Sequence, residues 1–222
     1  MIDIVLVPTS HVARESLKSV KNAIEKEKPE CVAVELDINR YYAMKEESKA
    51  KGSTLDAMRN LGFLTFILYW VLKSLQSWIG KKMGILPGSE MVEAVDVARK
   101  AGIKVALIDR DIRITVTRMN QIPWTEKAKL LLFLLKGMII DYPLMKLGRG
   151  GQKIDLNKVP PKEIINEAMR TMKKEFPHLY RVLVTERDKF MSARLKDMSK
   201  KFKKIVVVIG AGHLDGITKM LK

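Results

Sequence analysis

Ile205-Val206-Val207-Val208-Ile209 runs directly into Gly210-Ala211-Gly212-His213. An unbroken β-branched run of this kind suits a buried strand, and a reactive side chain follows it. Three other short apolar runs share the design. Ile2-Asp3-Ile4-Val5-Leu6-Val7 leads to Pro8-Thr9-Ser10-His11, Cys31-Val32-Ala33-Val34 leads to Glu35 and Asp37, and Lys104-Val105-Ala106-Leu107-Ile108 leads to Asp109-Arg110-Asp111. Helical patterns fill the gaps, so a parallel sheet is the economical arrangement. The expected fold is α/β: a central, mainly parallel sheet of about four core strands flanked by helices. Ligands bind at the carboxyl edge of such sheets. His11, Glu35, Arg110 and His213 are therefore expected in one crevice.

The 222 residues suit a single domain spanning 1–222, and a hydrophobic share of 47% is ample for its core. Cys31 is the one cysteine. It excludes an internal disulfide and, inside a strand run, reads as a core residue rather than a nucleophile. The net charge of +16 invites a nucleic-acid reading. The lysines, however, are spread over several helices and do not alternate with aromatics. They read as solvated helix faces, with attraction to an anionic membrane surface as the rival; no nucleic-acid partner is expected. No basic region precedes the first apolar run, so no signal peptide is expected.

Two stretches read as an apolar helical insertion, about 54–86 and 124–148. Asn60 to Leu72 is uncharged and holds Phe63, Phe66, Tyr69 and Trp70; Leu130 to Leu135 resumes as Met138-Ile139-Ile140. Each uncharged run is short of the roughly eighteen residues needed to span a bilayer. No transmembrane helix is expected, and the location is cytoplasmic or peripheral to a membrane. Such helices would pack on each other, on a second subunit as a homodimer, or on a membrane surface. Further on, Pro160-Pro161 opens a helix that closes near Phe176-Pro177. The spacing then predicts one continuous helix from His178 to Met198. Leu179, Leu183, Phe190 and Ala193 form its apolar stripe, with Glu186 on the stripe and Arg187 beside it. Charges so placed need partners or a function. Asp109 or Asp111 reads as a helix N-cap.

Four stretches carry a family resemblance. They are Thr9-Ser10-His11-Val12 with Glu15-Ser16 and Pro29 to Asp37 followed by Arg40-Tyr41; Asp109-Arg110-Asp111-Ile112; Glu186-Arg187-Asp188 with Met191-Ser192; and Gly210-Ala211-Gly212-His213 with Gly216-Ile217. In this set the chain resembles the TraB family, named for a protein that shuts down a peptide pheromone. That family belongs with the Tiki metalloproteases and is similar to the erythromycin-esterase and ChaN groups. The resemblance implies two Gly-x-x-His motifs, after the first and last strands, and a glutamate after the second. Gly210 to His213 fits. Pro8 stands where the first glycine is expected and supplies neither its φ freedom nor its close backbone approach.

The implied activity is a metal-dependent hydrolase, a peptidase acting on a peptide substrate. His11, Glu35 and His213 would be the metal donors, and two imidazoles with a carboxylate suit manganese, cobalt or zinc. Arg110 would stabilise the oxyanion, Glu186 would be a ligand or general base, and Arg187 would hold it in place. Metal affinity should then fall as pH drops through the ordinary histidine range, about 6.5. In the erythromycin-esterase relatives a histidine and a glutamate are thought to activate water without a metal, and His11 with Glu35 could do so here. Outside the enzyme class, the chain would sequester a peptide or membrane-protein partner without cleaving it.

Overall fold

The computed structural model describes residues 3–9, 14–45, 88–136 and 161–222. Four strands form one parallel sheet: β1 (Asp3–Thr9), β2 (Cys31–Val34), β3 (Lys104–Leu107) and β4 (Lys204–Gly210), in the order β1-β4-β2-β3. The α/β expectation holds. The strand latest in sequence lies between the first two. Its register pairs Asp3 with Lys204 and Thr9 with Gly210 on one side, and Cys31 with Ile205 and Val34 with Val208 on the other.

Side-chain alternation sorts the strands into two faces. Val7, Val32, Val34, Val206 and Val208 form the first. They pack on Val20 and Ile24 of α1 (Arg14–Glu27) and on Met91, Ala94, Val95 and Ala98 of α3 (Ser89–Lys100). Ala33, Ile205, Val207 and Ile209 form the second, against Met191 and Leu195 of α8 (Glu186–Met198) and Ile217 of α9 (Leu214–Leu221). Each fully buried aliphatic side chain contributes about 1.5–3 kcal/mol. Covered on both faces, β2 and β4 read as continuous apolar runs. Pro8 leaves the ladder intact opposite Ile209 because β1 is an edge strand, where a missing N–H costs little. At the end of α3, Gly102 takes φ 70, a left-handed stop open to glycine.

Helix α2 (Ile38–Lys45) follows β2, and α4 (Ile112–Asn120), capped by Asp111 through the Arg113 N–H at 2.8 Å, follows β3. Then come α5 (Trp124–Lys136) and α6 (Lys162–Glu175). Of the expected apolar insertion, 124–136 is helical; 54–86 and 137–148 lie outside the described residues. Among the described residues, no helix is long and apolar enough to cross a membrane. Trp124, Leu132 and Phe133 on α5 are 70%, 68% and 56% exposed.

The predicted single helix over 178–198 is corrected. Pro177–Tyr180 forms α7, Arg181–Thr185 is a π-helical turn, and α8 follows. A π turn adds a residue to the helical circuit and rotates everything after it. The buried stripe of α8 is Asp188, Met191, Ser192 and Leu195, while Phe190 and Ala193 are exposed.

Cys31 is buried in β2, and burial pushes its thiol up to about 11. It should therefore resist alkylation by iodoacetamide at pH 8 in the native protein and react once the chain is unfolded in urea. Prompt native labelling would contradict a sealed β2.

Candidate functional site

The carboxyl ends of β2, β3 and β4 deliver the charged side chains. The ladder continues past β2: Glu35 N donates to Val208 O at 3.0 Å and Asp109 N to Leu36 O at 3.2 Å. Glu35 therefore shares the face of Ala33 and points toward α8 and α9. Its Oε2 accepts the Gly210 N–H at 2.6 Å, tying the end of β2 to the turn after β4.

Arg187, from the first turn of α8, closes the centre. Its Nε and Nη2 form a fork on Asp109 at 3.1 and 2.7 Å. Nη2 also contacts Glu35 Oε1, and Nη1 donates to Leu183 O at 3.2 Å. Such bidentate, charge-assisted bonds are strong and directional. Burial alone would lower the affinity of Arg187 for its proton, but the Glu35 and Asp109 carboxylates override it and raise the pKa further.

His213 ends a short 3₁₀ turn, Ala211–His213, that enters α9. Its Nδ1 lies 2.6 Å from Asp188 Oδ1; its Nε2 lies 3.2 Å from Glu35 Oε1 and 3.1 Å from Arg187 Nη1. Burial pulls its pKa down and Arg187 opposes a proton there. The Glu35 charge and the bonds to Asp188 and Glu35 outweigh both, pushing it up to about 9. The cluster thus favours the protonated ring, with Nδ1 facing Asp188 and Nε2 facing Glu35.

Arg110 and Glu186 form a neighbouring pair at 2.8 Å. Arg110 also donates from Nε to Thr115 Oγ1 at 3.0 Å and from Nη2 to Val182 O at 2.7 Å. Each of its nitrogens is thus engaged, pinning the π turn to the end of β3. Arg40 reaches Asp109 at 3.5 Å.

Glu35, Arg187 and His213 thus meet in one cluster, and Arg110 with Glu186 adjoins it. His11 lies outside the described residues. Sequence reasoning gave no role to Asp188 or to Glu90, and took Asp109 or Asp111 as a helix N-cap. Glu90, 2% exposed in the first turn of α3, receives Thr9 Oγ1 at 3.3 Å beside the same sheet edge. A cavity of about 350 Å³ runs along the outer side of Asp188, lined by Tyr180, Arg170, Lys173, Gly212, Gly216 and Lys219.

The spacing of Glu35 Oε1 and His213 Nε2, 3.2 Å, matches neighbouring ligands on an ion with bonds near 2 Å. The Arg187 guanidinium nevertheless rests against both atoms. Among the described residues, no group of three His, Cys, Asp or Glu side chains is placed to hold a metal. Two donors and a fixed cation do not by themselves fit a divalent ion.

The family model described as TraB/PrgY/gumN matches residues 2–222. The chain belongs to the TraB/PrgY/gumN family. It is similar to an uncharacterized protein of Methanocaldococcus jannaschii, 37% identical over 99% of this chain and 53% of that protein. TraB domain-containing proteins of Mus musculus and Homo sapiens are each 27% identical over 96% of this chain and 61% of their own length. The chain thus spans between about half and three fifths of these relatives. Within the family match, the motif stretches Pro29–Asp37, Asp109–Ile112, Glu186–Ser192 and Gly210–Gly216 are the ones the fold brings together.

Proposed function

We propose that the chain is a hydrolase acting on a peptide, with Glu35 and His213 as its acid–base pair. The observation that carries the reading is the hydrogen-bonded series Asp188–His213–Glu35–Arg187 at the carboxyl ends of β2 and β4. A carboxylate and an imidazole 3.2 Å apart suit general acid–base cleavage. Glu35 takes a proton from the attacking water. His213, oriented by Asp188 and protonated at neutral pH, gives its Nε2 proton to the leaving nitrogen. Arg187 holds the carboxylate in place and, with 14% of its side chain exposed, stands on the open side of the cluster with Glu186 and Arg40. The basic lining beyond Asp188 suits a substrate's carboxylates.

The metal-dependent form of this reading adds His11 to Glu35 and His213 as donors; the 3.2 Å spacing of the Glu35 and His213 atoms favours it. The non-catalytic alternative is a domain that sequesters a peptide or membrane protein. It draws on the exposed apolar side chains of α5, which would equally suit a homodimer contact or a membrane surface.

The test is turnover of a broad peptide and ester panel by wild type, Glu35→Gln and His213→Gln, each with chelator and with added manganese, cobalt or zinc. Each variant should lose about 10²–10⁴-fold in kcat, the usual worth of a positioned acid or base. Activity surviving the chelator selects the metal-free form. Peptide binding by wild type with no turnover in any arm would replace the hydrolase with the sequestering domain.

A further inference from the structure

We propose that Gly216 is a positioning residue, whose missing side chain is the seat that holds Asp188 against His213. A Cβ built on Gly216 would lie 2.0 Å from Asp188 Oδ2 and 2.8 Å from its Cγ, both impossible approaches. The Asp188 Cβ would be 3.5 Å away, so the whole side chain lies along the glycine. Aspartate has two side-chain torsions and little room to yield. Its Oδ1 is fixed on His213 Nδ1 at 2.6 Å, and the residue is 3% exposed. Any rotation that clears a methyl group at 216 withdraws the carboxylate from the imidazole. Backbone conformation is not the reason for glycine, since 216 lies inside helix α9 and is absent from the positive-φ glycines. Gly212 differs: a Cβ there would meet the Met169 sulfur and methyl at 3.2 and 3.3 Å, the pliable end of a flexible side chain.

The inference rests on the proposed role of His213 only for its catalytic meaning; its geometry is tested without substrate. The first measurement is the proton NMR signal of His213 Nδ1–H, moved far downfield by a carboxylate acceptor and assigned by its loss in His213→Gln. It should be present in wild type and in Gly212→Ala, and lost or moved upfield in Gly216→Ala. The second is a double-mutant cycle read by urea unfolding. Overpacking should lower the folding equilibrium constant of Gly216→Ala by about 30-fold, from a typical cost near 2 kcal/mol. In an Asp188→Ala background the same change should be neutral or stabilising, because alanine exceeds glycine in a helix interior. A Gly216→Ala protein that fails to fold should be rescued by Asp188→Ala. An unchanged His213 signal in Gly216→Ala, equal costs in both backgrounds, or no rescue would overturn the proposal. Absence of hydrolysis with the cycle intact would instead remove the hydrolase reading and leave the seat in place.

Discussion

Replacing Arg187 with methionine should cost about 3–5 kcal/mol of stability, the loss expected when one partner of a buried ion pair is removed. The guanidinium is the common partner of Glu35 and Asp109, whose side chains are 3% and 4% exposed. Without it, two carboxylates remain in a nearly dry pocket, with His213 as the nearest positive charge to Glu35. Lysine in its place keeps the charge but not the fork on Asp109, so Arg187→Lys should recover part of the loss and not all of it. Arg113, paired with Asp111 at the surface, is the control: its side chain is 73% exposed, and Arg113→Ala should change stability by less than about 1 kcal/mol. Urea unfolding of the four proteins at pH 7 is the measurement. An Arg187→Met protein as stable as the control would mean that the cluster is open to water in solution.

Raising the pH should destabilise the protein through His213. The folded pKa, near 9, stands above the ordinary value of 6.5. The protonated form is therefore the one the fold prefers, and its contribution is fully present below pH 6.5. It declines across the interval and is gone once the pH has passed 9. A tenfold difference in proton affinity between folded and unfolded chains corresponds to about 1.4 kcal/mol, so the contribution is on the order of 3 kcal/mol. Urea unfolding of wild type and His213→Gln at pH 6, 7.5 and 10 isolates it: the difference should shrink across the series. A histidine titrating near 6.5 by NMR, with no such trend, would refute the charge balance of the cluster. Any metal bound at His213 would meet the same preference for the protonated ring. A cation at Nε2 must displace a proton held up to about pH 9, so its affinity should keep climbing to that point.

The strands were legible because burial on both faces leaves nowhere for polar residues to go. Each run declared itself by composition, and boundaries moved by a residue or two: Lys104–Leu107 for the third, Lys204–Gly210 for the fourth. Glu35 was legible for the same reason, as a charge at the end of such a run. Asp188 was not. Its place on the buried stripe depends on the π turn at Arg181–Thr185, and a 3.6-residue period carried across that turn selects Leu183, Phe190 and Ala193 instead. Nothing local marks a π turn, which is favoured here by Arg110 donating to the Val182 carbonyl from 72 positions away. Glu90 was hidden because an acid in a helix's first turn is commonplace. Of the two cap candidates, Asp109 and Asp111, the cap is Asp111, which leaves Asp109 to the cluster with Arg187.

The order β1-β4-β2-β3 also constrains how the molecule comes into being. The middle of the sheet is filled by the strand that leaves the ribosome after the other three. Until Lys204–Gly210 arrives, β1 has no neighbour among the described strands, and β2 can pair only with β3. Glu35 waits for a backbone N–H 175 residues downstream. Contacts so distant must close a long loop before they return any stabilisation, which slows folding. During synthesis the nascent chain presents an apolar slot bordered by two unpaired strand edges, a surface that invites aggregation and calls for a chaperone.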